Sequence, residues 1–505
     1  MFSFSIHTIG CKLNQLESEA LADAFRREGF PLVPWDAPPD GGGDGADSSD
    51  GWESPPLRGR RPPRRLLLVN TCTVTSMAEQ KARRVIRKAL REGALVLATG
   101  CYAQLNGAEL EHLGAQFPGR LLVVPGENKS VLLDLPRFLR SRPADFPEDP
   151  AALVRDWLRG EPAAPGPAAD SLDGRFHFVP EDFSSHSRAF LKIQDGCDRH
   201  CAFCRVRIAR GESVSLPPDE VLRRLKALEL RGCAEAVLTG VNICRYKGAS
   251  LGLGGLIRLL LGETSRIRLR LSSLEPEDID EELLESLKDR RLRPHFHLSI
   301  QSGSGKLLKR MGRLYGPEQA AWAVSRLREI KADPFIACDI ITGFPGEGEE
   351  DFSETLEFCG RMDFAWIHGF PYSPRPGTPA WSFDGQVSQR EAGLRAARLL
   401  DLARRGRRDY AARWLGRDTE LVLEAGIPRP PPEGGGGFAA GTSENYLKIL
   451  IPRPWLPGPA APGDMLRCRL RPLSELPGGT EEASSPAGRD AGFPGNFDAL
   501  GEPCL

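Results

Sequence analysis

Three cysteines near the middle of the chain have a spacing that can hold an iron–sulfur cluster. Cys197, Cys201 and Cys204 form a C-x3-C-x2-C pattern on a predicted loop that follows the strand-like run 190–194. Iron–sulfur clusters normally bind four cysteine thiolates, so a three-ligand loop predicts a [4Fe–4S] cluster with one open iron. An open iron can bind the amino and carboxylate groups of S-adenosylmethionine (SAM). One electron from the cluster can then split the sulfonium and yield a 5′-deoxyadenosyl radical.

A zinc site is the alternative interpretation of these three cysteines, with His200 as the fourth ligand. Structural zinc sites usually combine two C-x2-C or cysteine–histidine elements. No second pair lies nearby in the sequence. The spacing therefore favours the iron–sulfur cluster, with zinc as the open alternative.

A second set of cysteines follows three predicted strands of the amino-terminal segment. Cys11, Cys72 and Cys101 come directly after strand-like runs at 2–9, 66–69 and 94–98. The ends of parallel strands share one edge of an open α/β sheet, where ligands bind. Three unrelated buried cysteines are the alternative, since cysteine is often buried. Equivalent positions at strand ends favour a second three-ligand [4Fe–4S] cluster.

The elements that position these cysteines predict an α/β protein of three domains. Residues 1–142 alternate strands with helices and predict an open parallel sheet, interrupted by a disordered insertion at 37–63 and with a further strand at 121–124. A helix over 77–92 carries many cations of this domain: Lys81, Arg83, Arg84, Arg87, Lys88 and Arg91. A linker rich in proline and alanine is predicted over 143–182.

Residues 183–405 predict a partial parallel barrel of six β/α units that is open enough to admit a macromolecule. Its strands are predicted at 190–194, 235–239, 267–271, 296–300, 335–341 and 366–370, with helices such as 276–288 and 317–330. Ligands of barrel folds bind at the carboxyl ends of the strands. The residues Gly240, Gln301 and Gly343, which stand at three of these ends, are therefore candidate SAM contacts.

The last part of the chain is predicted to bind RNA. An arginine-rich helix leads into residues 406–475, where strands at 419–423, 446–451 and 463–470 predict a compact β-barrel of the kind that holds RNA. Residues 476–505 are rich in glycine, proline, serine and acidic residues and are predicted to be disordered.

Composition places the chain in the cytoplasm. It has 505 residues, of which 40% are hydrophobic and 27% charged, and no run approaches the length of a membrane span. The first residues lack the basic and small-residue features of a signal peptide. Twelve cysteines in such a chain favour metal or redox chemistry over disulfides. The net charge of −1 means that any RNA contact must use local basic patches.

Several motifs together resemble the radical-SAM methylthiotransferases. Residues 8–18 (TIGCKLNQLES), 70–75 (NTCTVT) and 100–102 (GCY) are similar to the amino-terminal domain of that family. Residues 194–204 (QDGCDRHCAFC), 298–304 (LSIQSGS), 343–347 (GFPGE) and 370–380 (FPYSPRPGTPA) are similar to its catalytic domain. The carboxyl-terminal barrel resembles a TRAM domain.

Within the family the chain most resembles the branch that acts on N6-threonylcarbamoyladenosine at position 37 of tRNA. The motifs at 10–14 (GCKLN) and 70–75 carry this likeness, and Arg375 stands where the branch acting on a ribosomal protein tends to have an acid. Arg207 replaces a usual proline, and Phe203 replaces a tyrosine but keeps an aromatic face for SAM. The isopentenyladenosine and ribosomal-protein branches are the alternatives. A non-catalytic iron–sulfur RNA-binding protein is disfavoured because all six cysteines are present.

The resemblance implies a radical reaction on tRNA. A methylthio group would be added to carbon 2 of the modified adenosine 3′ of the anticodon, at a C–H bond that acid–base catalysis cannot activate. The Cys197/Cys201/Cys204 cluster would cleave SAM, the Cys11/Cys72/Cys101 cluster would supply or present the sulfur, and a second SAM would give the methyl. The TRAM-like end and the arginine-rich helix would hold the anticodon arm through its phosphates. A flavodoxin or ferredoxin would supply electrons, and the sulfur source stays open.

Overall fold

The structure is a computed structural model, and it describes residues 3–35, 65–141, 150–160, 172–181, 187–425, 437–475 and 497–504. The chain forms two compact units. The first comprises residues 1–182 with 208–210, and the second comprises residues 183–207 with 211–505. The predicted insertion at 37–63 lies outside the described residues. No helix in the described ranges is long and apolar enough to cross a membrane.

The first unit contains a four-stranded parallel sheet in the order β1-β2-β3-β4. Its strands are β1 (Ser3–Thr8), β2 (Arg65–Thr71), β3 (Leu95–Gly100) and β4 (Leu121–Val123). Its helices are α1 (Lys12–Arg27), α2 (Ser76–Arg91), α3 (Cys101–Leu105), α4 (Gly107–Gly114), α5 (Leu135–Arg140) and α6 (Pro150–Arg159). The predicted parallel α/β fold of this region is confirmed.

Helices cover both faces of this sheet, as the unbroken apolar run of β2 requires. Leu66 and Leu68 point to the face covered by α1, and Leu67 and Val69 point to the face covered by α2. All four side chains are buried.

The predicted linker at 143–182 is wrong where the structure describes it. Helix α6 occupies Pro150–Arg159, and a 3-10 turn follows at Gly174–Phe176. Val154 and Phe178 are buried in the core beneath α1, and Trp157 stacks on Phe138 with ring centroids 5.3 Å apart. The alanine- and proline-rich composition around α6 predicted a linker. The apolar face of α6 is stabilised only by packing against the folded core, which the local sequence does not reveal.

The catalytic part of the second unit has six parallel strands of four to eight residues, in sequence order. They are β5 (Ala189–Lys192), β8 (Glu235–Thr239), β9 (Arg268–Leu271), β11 (His295–Gln301), β12 (Phe335–Thr342) and β13 (Trp366–Pro371). Three strands of two residues lie between them: β6 (Gln194–Asp195), β7 (Val214–Ser215) and β10 (Ser273–Leu274). They form the parallel sheets β5-β8-β9 and β10-β11-β12-β13 and the short antiparallel pair β6-β7. The predicted six-unit parallel arrangement is confirmed.

Helices cover the outer face of these strands. They are α7 (Val206–Arg210), α8 (Pro218–Leu230), α9 (Leu253–Glu263), α10 (Glu281–Leu287), α11 (Gly305–Arg310), α12 (Pro317–Ile330), α13 (Glu349–Met362) and α14 (Gln389–Trp414). The helix predicted at 276–288 is shorter than expected. A 3-10 turn occupies Pro276–Asp278, and the Asp280 side chain then caps α10 by accepting the Leu283 N–H at 2.7 Å.

The end of the chain is a closed five-stranded barrel in the order β14-β15-β16-β18-β17. Its strands are β14 (Asp418–Leu423), β15 (Phe438–Ser443), β16 (Lys448–Pro452), β17 (Met465–Arg471) and β18 (Ala499–Pro503). The predicted small barrel is confirmed. The predicted disorder of 476–505 is wrong for β18, which pairs with both β16 and β17; residues 476–496 lie outside the described ranges.

Candidate metal centres and active site

The structure brings Cys11, Cys72 and Cys101 together at one edge of the first sheet. Cys11 precedes α1, Cys72 follows β2 and Cys101 begins α3, so each stands at the carboxyl end of a neighbouring strand. Burial, with smaller contributions from the thiols of Cys11 and Cys101, raises the pKa of the Cys72 thiol to about 12. The three sulfurs are therefore close enough to influence one another's charge.

Gly10 permits the close approach of two of these loops. Its φ is +113°, and a Cβ at this position would lie 2.7 Å from the Cβ of Cys72 and 2.8 Å from its sulfur. Only glycine can therefore stand here without displacing the thiol. The Asn14 amide fixes the same approach by donating to the carbonyls of Ile9 at 2.7 Å and Thr71 at 3.1 Å.

Thr71 extends this buried network to the third cysteine. Its hydroxyl donates to the carbonyl of Thr99 at 2.5 Å and accepts the Ala103 N–H at 3.1 Å. These bonds tie the end of β2 to the start of α3, where Cys101 lies. The network holds the three cysteine loops in register before any cluster binds.

The loop of Cys197, Cys201 and Cys204 is fixed by backbone hydrogen bonds. The Cys197 N–H donates to Gly211 at 3.1 Å, and the Cys204 N–H donates to Cys201 at 3.1 Å. Gly196 has a φ of +72°, and a Cβ there would stand 1.9 Å from the carbonyl oxygen of Glu212. The sharp turn into the loop therefore needs glycine.

The thiols of Cys197, Cys201 and Cys204 also affect one another. Burial, with smaller contributions from Cys201 and Cys197, raises the pKa of Cys204 to about 12. Backbone amides two residues after a cysteine donate to sulfur: Val74 to Cys72 at 3.5 Å, Arg199 to Cys197 at 3.4 Å and Val206 to Cys204 at 3.4 Å. Such bonds stabilise thiolate ligands and adjust the potential of a cluster. Both cysteine sets therefore fit [4Fe–4S] clusters.

The zinc alternative needs His200 as its fourth ligand. The Arg207 guanidinium instead lies 2.7 Å from the ring nitrogens of His200. Arg207, the departure from the family pattern, thus contacts the cysteine loop.

The predicted SAM contacts stand where strands end. Gly240 follows β8, Gln301 is the last residue of β11 with a φ of +70°, and Gly343 follows β12. A Cβ on Gly343 would lie 2.4 Å from Cβ of Ala392 in α14, so packing alone accounts for this glycine. Direct contact of these residues with SAM stays a prediction.

Phe203 lies beside the cysteine loop. Its ring meets that of Phe344 edge to face with centroids 6.4 Å apart, and the Arg313 guanidinium stands 5.7 Å above it. The ring is half-buried and keeps part of its surface for a ligand. Its predicted role toward SAM is untested.

Sequence reasoning missed an ionic cluster next to this loop. Arg313 donates to Glu275 at 2.6 Å, and Arg199 lies 2.8 Å from Glu277 and 3.1 Å from Asp278. Burial raises the pKa of Glu275 to about 7 although Arg313 favours its charged form. The predicted helix over 276–288 concealed this cluster, because it includes Glu277 and Asp278.

A row of rings on the concave face of the parallel strands was also missed. His368 stacks on His297 at 5.1 Å and on Phe370 at 6.1 Å, and His297 Nε2 lies 2.9 Å from Asp339 Oδ1. The opposite face belongs to the helices, as Gly369 packs against Leu399 of α14. The alternation Trp366, His368, Phe370 in a strand could have revealed this row.

Comparisons with known proteins agree with both cysteine sets. Residues 191–359, which include Cys197, Cys201 and Cys204, match the radical SAM superfamily. Residues 63–118, which include Cys72 and Cys101, match the uncharacterized protein family UPF0004.

Curated relatives extend the match to most of the chain. A protein of Treponema pallidum named threonylcarbamoyladenosine tRNA methylthiotransferase MtaB is 40% identical over 495 residues, covering 89% of this chain and 95% of the relative. The chain belongs to the radical-SAM methylthiotransferase family. A Thermotoga maritima MtaB is 31% identical over 89% of this chain and 91% of its own length.

Another methylthiotransferase branch is also similar. The tRNA-2-methylthio-N(6)-dimethylallyladenosine synthase of Zymomonas mobilis is 29% identical over 83% of this chain and 86% of its own length. Family membership confirms the predicted enzyme class and its dependence on SAM and iron–sulfur clusters.

Proposed function

We propose that this methylthiotransferase adds a methylthio group to carbon 2 of N6-threonylcarbamoyladenosine, 3′ of the anticodon in tRNA. The observation that carries the proposal is the likeness to MtaB proteins. Five relatives of that name are 28–40% identical over 83–89% of the chain, and four of them exceed 30%, whereas three named for dimethylallyladenosine are 28–30% identical.

Each cysteine set has its own task in this proposal. A [4Fe–4S] cluster with SAM, held by Cys197, Cys201 and Cys204, supplies the one-electron chemistry that an unactivated C–H bond requires. Cys11, Cys72 and Cys101 hold the second cluster and with it the sulfur. The N–H groups that donate to Cys72, Cys197 and Cys204 lower the pKa of these thiols against the effect of burial and so favour the thiolate ligand form.

The concave ring row supplies a surface for the base. Phe370 is 44% exposed at the carboxyl end of β13, and His368 stacks beneath it. Unpaired bases stack readily on such rings, at about 1–3 kcal/mol each. The row therefore orients the adenine.

Binding of the anticodon arm is assigned to the carboxyl-terminal barrel together with α14, and both carry paired arginines. In the barrel, Arg467 and Arg469 pair with Asp418, and Arg471 pairs with Glu502. Most arginines of α14 are engaged by acids, which lowers the free positive charge of this helix. The pairs are Arg395 with Glu347, Arg398 with Glu349, Arg404 with Asp401, Arg407 with Asp498, and Arg413 with Asp333 and Asp363.

A small acidic electron carrier, such as a flavodoxin or ferredoxin, fits the outer side of the Cys197 loop. A cavity of about 410 Å³ lies there, and Arg199, His200, Arg245 and Lys247 are among its lining residues. The lining has three cations, Arg199, Arg245 and Lys247, and one carboxylate, Asp198, while Asp278 pairs with both arginines. The remaining positive charge beside the cluster loop suits an acidic donor.

Mass spectrometry of tRNA nucleosides tests the proposed reaction. The anaerobically reconstituted enzyme receives SAM, a reductant and a sulfur source, with either threonylcarbamoylated or isopentenylated tRNA. We expect the methylthio product only with the threonylcarbamoylated tRNA. Modification of the isopentenylated tRNA alone would assign the protein to the other branch.

A further inference from the structure

Helix α2 of the first unit carries an exposed row of cations, which we call the α2 basic face. At 100° per residue its members lie within an arc of about 120° and along about 15 Å of the helix. They are Lys81, Arg84, Arg87, Lys88 and Arg91, all exposed. The opposite side of α2, with Ala82, Ile86 and Leu90, is buried against the sheet.

The α2 basic face has almost no counter-charge. Within the described ranges no carboxylate comes within 4 Å of Lys81, Arg84, Arg87 or Arg91. Lys88 has a single distant partner, Glu92, at 3.8 Å. Nearby Arg83, which lies off this face, is instead paired with Glu109 at 3.0 Å.

This concentration of charge has no stabilising role in the fold. Like charges three or four residues apart destabilise a helix. In helix α14 of the same chain, acids paired with the arginines offset this repulsion. In a protein of net charge −1, five cations on one face are more consistent with a polyanionic ligand than with solubility.

The face is continuous with the Cys72 loop. Met77, one turn before Lys81, lies on the same side of the helix and is 77% exposed. Val74, which stands just before the helix, is 55% exposed. The Val74 N–H donates to the Cys72 sulfur. Thr75 caps the helix by accepting the Ala78 N–H at 3.1 Å, which fixes where α2 leaves this loop. A ligand bound along α2 would thus lead to the second cysteine set.

We propose that the α2 basic face binds the phosphate backbone of the tRNA substrate and directs it toward the Cys11/Cys72/Cys101 centre. The inference rests on the proposed function, because it assumes that the substrate is RNA. Charge complementarity selects RNA: a straight row of cations spaced one turn apart matches a regular polyanion. Three of the five residues are arginines, whose fork geometry favours phosphate.

Binding measurements on the full-length, cluster-loaded protein test this inference. The variant K81Q/R84Q/R87Q/R91Q removes four cations and keeps Lys88, which is paired with Glu92. The control R137Q/R159Q/R266Q/R290Q removes the same total charge from four exposed arginines outside α2. Fluorescence anisotropy then gives the Kd for unmodified and modified tRNA at several salt concentrations.

We expect the α2 variant to lose affinity for both tRNAs, by about fivefold for each phosphate contact removed, and to show a shallower dependence of log Kd on log salt. The control should bind as the unaltered protein does. SAM cleavage without tRNA should be unchanged in both. Equal Kd and salt dependence in the α2 variant and the control would overturn the inference.

Two further results separate this inference from its premise. If the unaltered enzyme makes no methylthio product with any tRNA, the proposed function fails, while the Kd comparison still decides whether α2 binds RNA. If the α2 variant binds tRNA normally but accepts electrons more slowly from a flavodoxin, the face serves an acidic protein and the RNA inference is wrong.

Discussion

Tyr446 of the small barrel stacks on His295 of the parallel sheet, with ring centroids 4.0 Å apart. Arg270 reaches from the same sheet into the small barrel and donates to the carbonyls of Ser443 and Glu444 at 3.1 Å. Because His295 begins β11, and Glu235, the partner of Arg270, begins β8, the small barrel closes the amino-terminal end of the catalytic sheet. It is part of the core of the second unit and not an independent appendage.

Glu235 at the start of β8 is the central anion of this junction. Burial alone would raise its pKa, but Arg270 and Arg293 outweigh burial and hold the pKa at about 2. Arg293 also donates to Glu420 of β14 at 2.8 Å. Substitution E235Q should therefore lower the free energy of unfolding by about 3–5 kcal/mol, because it leaves buried guanidinium groups without their counter-charge.

Urea unfolding of the cluster-loaded protein measures this effect. A suitable control is E263Q, which removes an exposed partner of Lys226, and it should change the midpoint little. The salt bridge of Glu235 would be of no consequence for stability if both variants unfolded at the same urea concentration.

Substitution of the Cys197 set should remove one cluster and leave the other in place. The protein with both clusters should bind about eight irons, and C197A/C201A/C204A about four, because the sets lie in different units. The variant should form no 5′-deoxyadenosine from SAM. Iron analysis and chromatography of the nucleoside measure both effects. Retention of all iron, or the finding of zinc, would contradict the two-cluster assignment.

Removal of the Cys11 set should have the complementary effect. C11A/C72A/C101A should still cleave SAM, because the loops predicted to bind SAM belong to the second unit. It should yield no methylthio product in the nucleoside assay. A variant that still made the product would show that this set is only structural.

The sequence predicted the parallel strands well because their apolar runs are local signals. The run Leu66–Val69 is buried on both faces and has no other stable placement. Glycines before Cys11 and Cys197 also mark strand ends directly, since each has a positive φ. The Cys197 set could be predicted from its spacing, and the Cys11 set from its positions after three strands.

The remaining features depend on partners that are distant in the sequence. Glu235 meets Arg293 across 58 residues and Arg293 meets Glu420 across 127, so no local pattern indicates either pair. Strand β18 is short and forms only because β16 and β17 supply its hydrogen bonds. Helix α6 likewise depends on residues distant in the sequence, because its Val154 is buried in the core of the first unit.

The ring row on the concave face should determine how the base is held. Substitution F370A removes the exposed end of the row, at a place where base stacking is worth about 1–3 kcal/mol. We expect KM for tRNA to rise about five- to a hundredfold, with a smaller change in kcat, since the cysteine loops are untouched. Methylthiolation assays at varied tRNA concentration measure both constants.

Two variants distinguish stacking from structural damage. F370W keeps an aromatic face and should restore most of the affinity, whereas a general loss of structure would not be repaired by a larger ring. W322A removes an exposed ring on α12, 40% exposed in the structure, and should leave KM unchanged. If F370A and W322A behaved alike, the base would not stack on Phe370, and the row from His297 to Phe370 would serve only the packing of β11 to β13.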